Sequence, residues 1–291
     1  MSRLTIITIN YNNASGLKKT MESVSNQTSK SFEYIVVDGN SIDGSVELIK
    51  KFDNNSTVDS FLWISKPDSG IYNAMNKGIR MAKGEYIQFL NSGDTLAAND
   101  VTEKMLAYLF PSPQGEGVGV RSSILYGNML KPLPKRIHRD RGFAGRQPSM
   151  LDFYTGTLNH SSAYIKRSLF DTYGLYDESL KIVSDWKWYL QVIALNGVIP
   201  IYKDIDVTIF DMNGISTVNS CLDKEERLQV LLGILPMSVL IDYQKWAFPV
   251  EQMMRINRYW ILRKLFWLIE RILFKLDKWK EKCLGCREVK M

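Results

Sequence analysis

Strand-like and helix-like patterns alternate over the first hundred residues of the chain. Apolar runs rich in β-branched residues at Leu4 to Ile9 and at Glu33 to Val37 predict buried strands, and Ala14 to Asn26 between them predicts a helix. The alternation continues with a helix at Asp43 to Phe52, a strand at Phe61 to Ile64, a helix at Gly70 to Ala82 and a strand at Glu85 to Leu90. Short strands that alternate with helices favour a mostly parallel sheet flanked by helices, so the sequence predicts an α/β fold. The basic segment from Lys131 to Arg146 shows neither period, and the pattern assigns no element to it.

Polar side chains follow three of the predicted strands. Asn10 and Asp38 come just past the first two, and the stretch Asn91 to Asp94 follows the strand that ends at Leu90. Ligands of such sheets bind at the carboxyl ends of the strands, so these residues mark a candidate ligand site. The Asp38 carboxylate could accept hydrogen bonds from a base or from ribose hydroxyls. The alternative is a turn that its own side chain stabilises.

The stretch Asn91 to Asp94 also offers oxygen ligands for a divalent cation. Mg²⁺ or Mn²⁺ held there could face a diphosphate, whose charge as a leaving group needs stabilisation. The alternative is an ordinary turn in which Gly93 supplies an unusual backbone angle. The residues of this stretch taken alone favour the turn.

Two further side chains are candidates for chemistry in the second half of the chain. Asp185 stands at the start of a predicted helix beside Trp186 and Trp188, and a partly buried carboxylate next to aromatic surface suits a general base that works on a sugar. The alternative for Asp185 is a helix cap. His160 precedes a predicted strand and is interpreted as a structural histidine, a metal ligand or a phosphate contact.

The order of five motifs adds to these single residues. They are Thr5-Ile-Ile-Thr-Ile-Asn-Tyr-Asn12, Val37-Asp38-Gly-Asn-Ser-Ile-Asp43-Gly44, Lys66-Pro-Asp-Ser-Gly-Ile-Tyr-Asn-Ala-Met-Asn-Lys-Gly78, Ala82-Lys-Gly-Glu-Tyr86 and Leu90-Asn-Ser-Gly-Asp94. In this order they resemble the family 2 glycosyltransferases, in particular those that build bacterial surface polysaccharides, and the resemblance extends over roughly residues 3 to 216.

The resemblance implies a Rossmann-like GT-A fold and an inverting transferase. The implied donor is a nucleoside-diphosphate sugar, most simply a UDP-sugar that carries a hexosyl or N-acetylhexosaminyl group. The implied cofactor is Mn²⁺ or Mg²⁺, and the implied acceptor is a saccharide or a lipid-linked saccharide. The alternative function is a non-catalytic nucleotide-binding module of the same fold.

The resemblance also assigns roles to single positions. Residues expected around the nucleotide and donor sugar are Thr8, Asn10, Tyr11, Asp38, Asp68, Asn76, Asn91 and Ser216, the last in a loop that closes over donor phosphates. Family members usually carry aspartates at positions 91 and 93, whereas this chain has only Asp94 as an acid there. Asp94 is therefore the expected metal ligand, with His160 as a second candidate. Asp185 matches the acceptor-side base, although Ser184 replaces the glutamate common beside it.

The C-terminal part of the chain differs in charge from the rest. We divide the sequence into a catalytic domain at 1–220 and a helical extension at 221–291. Residues 251–291 contain eleven Lys/Arg and five Asp/Glu, so they account for the formal charge of +6 of the whole chain. From Ile261 to Trp279 a helical projection separates apolar residues from most of the charges.

Three interpretations of this extension remain open, namely a helix packed on its own domain, a homodimer seam and a helix lying in a membrane surface. We favour membrane contact through residues 255–282, because the resemblance implies lipid-linked acceptors. A nucleic-acid partner is not expected, since stacking aromatic residues interleaved with basic charges are missing from the rest of the chain.

Composition is that of an ordinary globular protein, with 45% hydrophobic and 23% charged residues. The start at Met1 leads directly into a strand-like run, so we expect no signal peptide. The three cysteines, Cys221, Cys283 and Cys286, do not suit a disulfide framework. The predicted location is therefore the cytoplasm, peripheral on the inner face of the cytoplasmic membrane.

Overall fold

A computed structural model describes residues 3–110, 123–214 and 219–288. The strands in this part of the chain are β1 (Leu4–Asn10), β2 (Glu33–Asp38), β3 (Ser60–Ser65), β4 (Tyr86–Phe89), β5 (Thr95–Leu96), β6 (Ile124–Leu133), β7 (Arg136–Asp140), β8 (Ala163–Lys166) and β9 (Pro200–Ile209). The helices are α1 (Ala14–Ser25), α2 (Ser45–Asn55), α3 (Ile71–Met81), α4 (Val101–Leu109), α5 (Met150–Thr155), α6 (Ser168–Tyr173), α7 (Ser184–Tyr189), α8 (Ser220–Ile234), α9 (Met237–Asn257) and α10 (Trp260–Glu288). A 3-10 turn at His160–Ser162 precedes β8, and a π-helical segment at Leu190–Leu195 follows α7.

The nine strands that the structure describes form one sheet in the order β3-β2-β1-β4-β8-β6-β9-β5, and β7 pairs with β6. The pairs β1–β2, β2–β3 and β1–β4 are parallel, as the alternation of strands and helices predicts. Beyond β4 the sheet is mixed, because β8 runs antiparallel to both β4 and β6 whereas β9 is parallel to β6. The predicted α/β fold is confirmed.

The register of the parallel strands brings their carboxyl ends to one edge. Asn10 at the end of β1 pairs with Asp38 at the end of β2, and Asp38 pairs with Ser65 at the end of β3. Every residue of β1 and β2 is buried, because helices cover both faces of the sheet. The polar residues that follow these strands therefore share one edge.

Helix α3 packs closely on β1 and is tied to a distant loop by two asparagines. A Cβ at Gly78 would lie 2.5 Å from the Cγ2 of Ile7, so only glycine allows this approach. On the other side, the Nδ2 of Asn76 donates to the backbone oxygen of Tyr176 at 2.8 Å and its Oδ1 accepts from the Tyr176 N–H at 3.0 Å. Asn73 and Asn76 both donate to the carboxylate of Glu178. The helix thereby holds the segment that leads into α7.

The chain divides into two compact units, which meet between Gly233 and Ile234. The functional boundary expected at residue 220 stays a prediction, and in this division most of α8 belongs to the first unit. The buried Glu226 of α8 accepts hydrogen bonds from the backbone N–H groups of Lys181, Ile182 and Val183, at 2.7, 2.9 and 3.3 Å. These bonds make α8 part of the sheet-containing unit.

The second unit consists of α9 and α10. Apolar side chains along α10 are exposed, among them Ile261, Leu262, Leu265, Leu268, Ile269, Ile272, Leu273, Leu276 and Trp279. Among the helices that the structure describes, none is both long enough and apolar enough to cross a bilayer.

We expect Glu226→Ala to destabilise the first unit. The substitution removes the carboxylate that accepts from three backbone N–H groups, two of them at 2.9 Å or less. A hydrogen bond to a charged group contributes about 1.5–3 kcal/mol. A net loss of about 3 kcal/mol corresponds to a fall of about 6–12 °C in the midpoint of thermal unfolding for a unit of this size. Glu225→Ala is the matched control, because Glu225 lies on the same helix and is exposed. Equal midpoints for the two variants would contradict the expectation.

Candidate functional site

A cavity of about 810 Å³ opens beside the carboxyl ends of the strands. Its walls come from the start of α1, the segments after β4 and β9, the 3-10 turn before β8, and the segment that enters α7. Four of the residues that the sequence proposes for the site line it, namely Asn91, Asp94, His160 and Asp185. The cavity therefore collects side chains that are as much as 94 positions apart in the sequence.

Three of these residues form a hydrogen-bonded row that ends at Tyr72. The Nδ1 of His160 lies 2.9 Å from the Oδ2 of Asp185, and the Nε2 lies 3.2 Å from the Nδ2 of Asn91. The hydroxyl of Tyr72 lies 2.9 Å from the Oδ1 of Asp185 and also bonds the backbone oxygen of Ile182. Both oxygens of Asp185 thus have a bonded neighbour, and the backbone N–H of Trp186 donates to the same carboxylate, so about one of its four acceptor positions stays open.

The charges of Asp185 and His160 depend on one another. Burial raises the pKa of Asp185, but the hydrogen bond from His160 and the positive charge of that ring outweigh it, so the pKa lies below its usual value. Burial lowers the pKa of His160, but the bond to Asp185 and the charges of Asp185 and Asp94 raise it above its usual value. The pair is therefore an ionised carboxylate beside a ring whose protonated form is favoured, with Nδ1 of His160 as the donor to Asp185. The amide nitrogen of Asn91 faces Nε2 and its oxygen has no partner, so a donating Nε2 requires this amide to be turned over.

Asp94 is the least satisfied carboxylate of the cavity. Its side chain is buried, its Oδ1 accepts from the backbone N–H of Asp211 at 2.8 Å, and its Oδ2 has no hydrogen-bond partner. Burial raises the pKa of Asp94 to about 7, against the bond from Asp211 and the charge of His160, which lower it. A buried oxygen without a donor suits a cation.

The residues present fit a divalent ion that is only partly held by protein. In the described part of the chain, no group of three His, Cys, Asp or Glu side chains converges on one point. Mg²⁺ binds through one or two carboxylates and fills its other positions with water and phosphate oxygens, so the single free oxygen of Asp94 is compatible with such an ion.

Asp38 does not line this cavity, and both oxygens of its carboxylate are fully hydrogen-bonded. Its Oδ1 accepts from Asn10 at 2.8 Å and from the Ser41 hydroxyl at 2.6 Å, and its Oδ2 accepts from the Ser41 N–H and the Ser65 hydroxyl. Burial raises the pKa of Asp38, but these bonds lower it further, and the net shift is downward. A bond from Asp38 to a base or ribose stays a prediction, and it requires one of the present donors to turn away.

Tyr11 and Asp68, which are also expected around the nucleotide, lie next to each other. Tyr11 is 70% exposed, and it meets Asp68 around Gly39, where a Cβ would lie 3.0 Å from the Tyr11 ring and 3.1 Å from the Asp68 carboxylate. We call Tyr11, Gly39 and Asp68 the donor shelf. Asp68 also forms an ion pair with Lys77 of α3.

Thr8 and Asn76 are buried and do not line the cavity. The Thr8 hydroxyl is buried and donates to the backbone oxygen of Leu90, which ties β1 to the end of β4. Asn76 is buried and bonded to the backbone of Tyr176, and its place near the donor sugar stays a prediction. Neither residue lines the cavity because the polar group of each bonds the backbone of another segment. Ser216 lies outside the described residues.

Residues 5–174 match the family model described as glycosyl transferase family 2. The chain belongs to this family. A relative named "PGL/p-HBAD biosynthesis glycosyltransferase" from Mycobacterium bovis (strain BCG) is 25% identical over 259 residues, which cover 86% of this chain and 93% of the relative.

Solved structures support the GT-A fold of this family 2 glycosyltransferase. S. aureus TarS 1-349, crystallised with UDP-GlcNAc, superposes with a TM-score of 0.61 at 18% identity, over 81% of this chain and 68% of TarS. The mannosyltransferase PcManGT from Pyrobaculum calidifontis, crystallised with GDP-Man and Mn²⁺, superposes with a TM-score of 0.57 at 17% identity, over 74% of this chain and 58% of that protein. At these identities the likeness concerns the fold alone.

Two residues of the cavity escaped the sequence reasoning. Tyr72 stands inside the third motif, but its contact with Asp185 spans 113 positions and leaves no local signal. Asp211 follows the end of β9, so the rule that polar residues after strands line the ligand edge would have found it if applied to the later strands.

We expect Asp94→Asn to raise the thermal midpoint in metal-free buffer at pH 8. The pKa of about 7 lies above the usual 3.8, so the folded chain binds this proton more tightly than the unfolded chain. The carboxylate therefore costs stability progressively as the pH rises from about 4 to about 7, by at most about 4 kcal/mol. The amide keeps an oxygen for the Asp211 N–H and removes the charge.

Calorimetry at pH 5 and pH 8 checks this expectation. The gain should be larger at pH 8, and Asp171→Asn, at an exposed position of α6, is the matched control that removes a surface carboxylate. A lower midpoint for Asp94→Asn at pH 8 would contradict it.

Proposed function

We propose that this glycosyltransferase moves a hexosyl or N-acetylhexosaminyl group from a UDP-sugar to a hydroxyl of a saccharide acceptor, with inversion at the anomeric carbon. One observation carries the proposal. The cavity at the strand ends contains a buried carboxylate with a free oxygen, Asp94, and an ionised carboxylate held at both oxygens, Asp185. These are the two functions that a single displacement requires, a site for the leaving group's counter-ion and a base.

The donor is proposed from the fold neighbours and the donor shelf. TarS was crystallised with UDP-GlcNAc and PcManGT with GDP-Man, so nucleotide sugars are the ligands of similar folds. An exposed tyrosine ring at the end of β1 can stack on a base, and Asp68 can accept from it. We place the nucleotide on the donor shelf and the sugar in the cavity. The named relatives are glycosyltransferases, which favours an enzyme over a nucleotide-binding module.

Asp94 is the proposed ligand of Mn²⁺ or Mg²⁺. When bound, such an ion neutralises the charge that develops on the leaving diphosphate. His160 is the weaker candidate, since its Nδ1 is bonded to Asp185 and its Nε2 faces Asn91. We assign His160 to the orientation of Asp185 instead.

Asp185 is the proposed general base. Because its pKa lies below the usual value, it is ionised at neutral pH and can accept a proton from the acceptor hydroxyl as that oxygen attacks the anomeric carbon. His160 and Tyr72 hold the carboxylate, which lines the cavity and keeps about one acceptor position for the acceptor hydroxyl. No covalent intermediate forms, so a second nucleophilic carboxylate is not needed.

The acceptor is proposed to be a saccharide or lipid-linked saccharide of bacterial surface polysaccharide synthesis. The relative from Mycobacterium bovis is named for a biosynthetic glycosyltransferase, and α10 offers an exposed apolar arc opposite basic residues such as Arg263, Lys264 and Lys275. An anionic bilayer binds that combination in its surface plane. We therefore propose that residues 255–282 hold the chain peripherally on a membrane, with a homodimer seam as the rival.

We expect Asp185→Asn to lower turnover by about 10²–10⁴-fold and to leave the donor affinity unchanged, because a general base acts on the acceptor and not on the nucleotide. Turnover is measured as UDP release in the presence of a verified acceptor, and donor affinity by calorimetry. Asp171→Asn serves as the matched control. Turnover near that of the unmodified chain would place the base elsewhere, and absence of turnover in the unmodified chain with every donor tried would favour a binding module.

We expect the full-length chain to bind anionic liposomes through the apolar arc. Replacing Leu265 and Ile272 together by glutamine should lower the partition at least about tenfold, because burying each such side chain contributes about 1.5–3 kcal/mol. Trp267→Gln with Phe274→Gln is the matched control, since these two exposed residues lie among the charges. Flotation measures the partition and light scattering the mass. A full-length chain that ignores the liposomes would rule out the membrane, and a doubled mass without lipid would favour the dimer.

A further inference from the structure

The segment after β4 lacks a side chain where a metal site could use one. Gly93 has φ +109°, a conformation that L side chains rarely adopt, so residue 93 must be glycine for local reasons. The space beside it is filled by another part of the chain. A Cβ at Gly93 would lie 2.4 Å from the Oδ2 of Asp211 and 3.0 Å from its Cβ and Cγ. A carboxylate thus lies against residue 93, although residue 93 does not carry it.

Asp211 reaches this place from the end of β9 and is fixed there. Its backbone N–H donates to the Oδ1 of Asp94 at 2.8 Å, which joins the two residues directly. Its Oδ1 accepts from the backbone and side-chain nitrogens of Asn213, at 3.1 and 2.8 Å. These bonds occupy one oxygen of Asp211 and leave Oδ2 turned toward Gly93. Both Asp94 and Asp211 line the large cavity.

A ligand is indicated by the second oxygen of Asp94. That side chain is 3% exposed, and its Oδ2 is buried without any partner. Two adjacent carboxylates with negative charge and no cation between them repel each other, and the interaction is strong where water is excluded. A divalent cation bound by both would satisfy the free oxygens and remove the repulsion.

The geometry points to Asp211 as a second carboxylate ligand of the divalent ion, together with Asp94. This inference rests on the metal dependence proposed above. It assigns to a residue after β9 the charge that the segment Asn91 to Asp94 lacks by itself. Two carboxylates, water and the diphosphate oxygens of the nucleotide are a suitable ligand set for Mn²⁺ or Mg²⁺.

Mn²⁺ titration followed by electron paramagnetic resonance tests the inference on the full-length chain, with and without UDP. Removing partners outside the ligand set commonly costs about 10–100-fold in metal affinity, so removing a direct ligand should cost at least about tenfold. We expect Asp94→Asn and Asp211→Asn each to lose at least that much. The substitution at position 211 keeps an oxygen for the nitrogens of Asn213. Asp204→Asn, on β9 but outside this cavity, should bind Mn²⁺ as the unmodified chain does.

The outcomes separate the two proposals. If Asp211→Asn binds Mn²⁺ within about twofold of the unmodified chain while Asp94→Asn does not, Asp211 is not a ligand and the metal proposal survives. If the unmodified chain binds no Mn²⁺ with UDP, the metal proposal fails and this inference with it. The thermal midpoint in EDTA is the check on folding, and it should not fall in Asp211→Asn. A loss of Mn²⁺ affinity with a matching fall in that midpoint would make Asp211 a structural residue and would overturn the inference.

Discussion

A buried carboxylate is stable only when donors or opposite charges replace the water it has lost, and this requirement organises the sheet-containing unit. Asp38 meets it with four hydrogen bonds at the ends of three parallel strands. Glu226 meets it with three backbone donors, and Asp185 with the Nδ1 of His160 and a tyrosine hydroxyl. Each of these carboxylates ties together segments that are remote in sequence. Asp94 is the exception, because one of its oxygens stays unsatisfied, and that difference separates a ligand-binding acid from the structural ones.

Much of the first half of the fold could be predicted because its signals are local. Strands β1 to β4 are short apolar runs, the intervening helices have their own period, and the residues just past the strands are polar. Parallel pairing then forces Asn10, Asp38 and the segment after β4 to one edge without further information. The same logic brought Asn91 and Asp94 to the cavity wall.

The remaining features depend on contacts between distant positions. The basic segment without a period contains β7, a strand with exposed side chains that exists because β6 pairs with it. The resemblance implies a place near the donor sugar for Asn76, but no local signal announces its bond to the backbone of Tyr176, a hundred residues later. The amphipathic pattern of α10 is local, so the sequence predicts it, whereas the surface that its exposed apolar side chains contact is not encoded in that local pattern.

Helix α3 contacts three separate parts of the site. Its first turn carries Tyr72, which contacts Asp185; Lys77, further along the helix, pairs with Asp68 of the donor shelf; and Asn76 bonds the segment that leads into α7. The hydrogen bonds within a helix fix the spacing of these three side chains. A displacement of α3 at Lys77 would therefore also displace the Tyr72 hydroxyl that contacts Asp185. Under the roles proposed above, donor binding and the position of the general base would be coupled through this one helix.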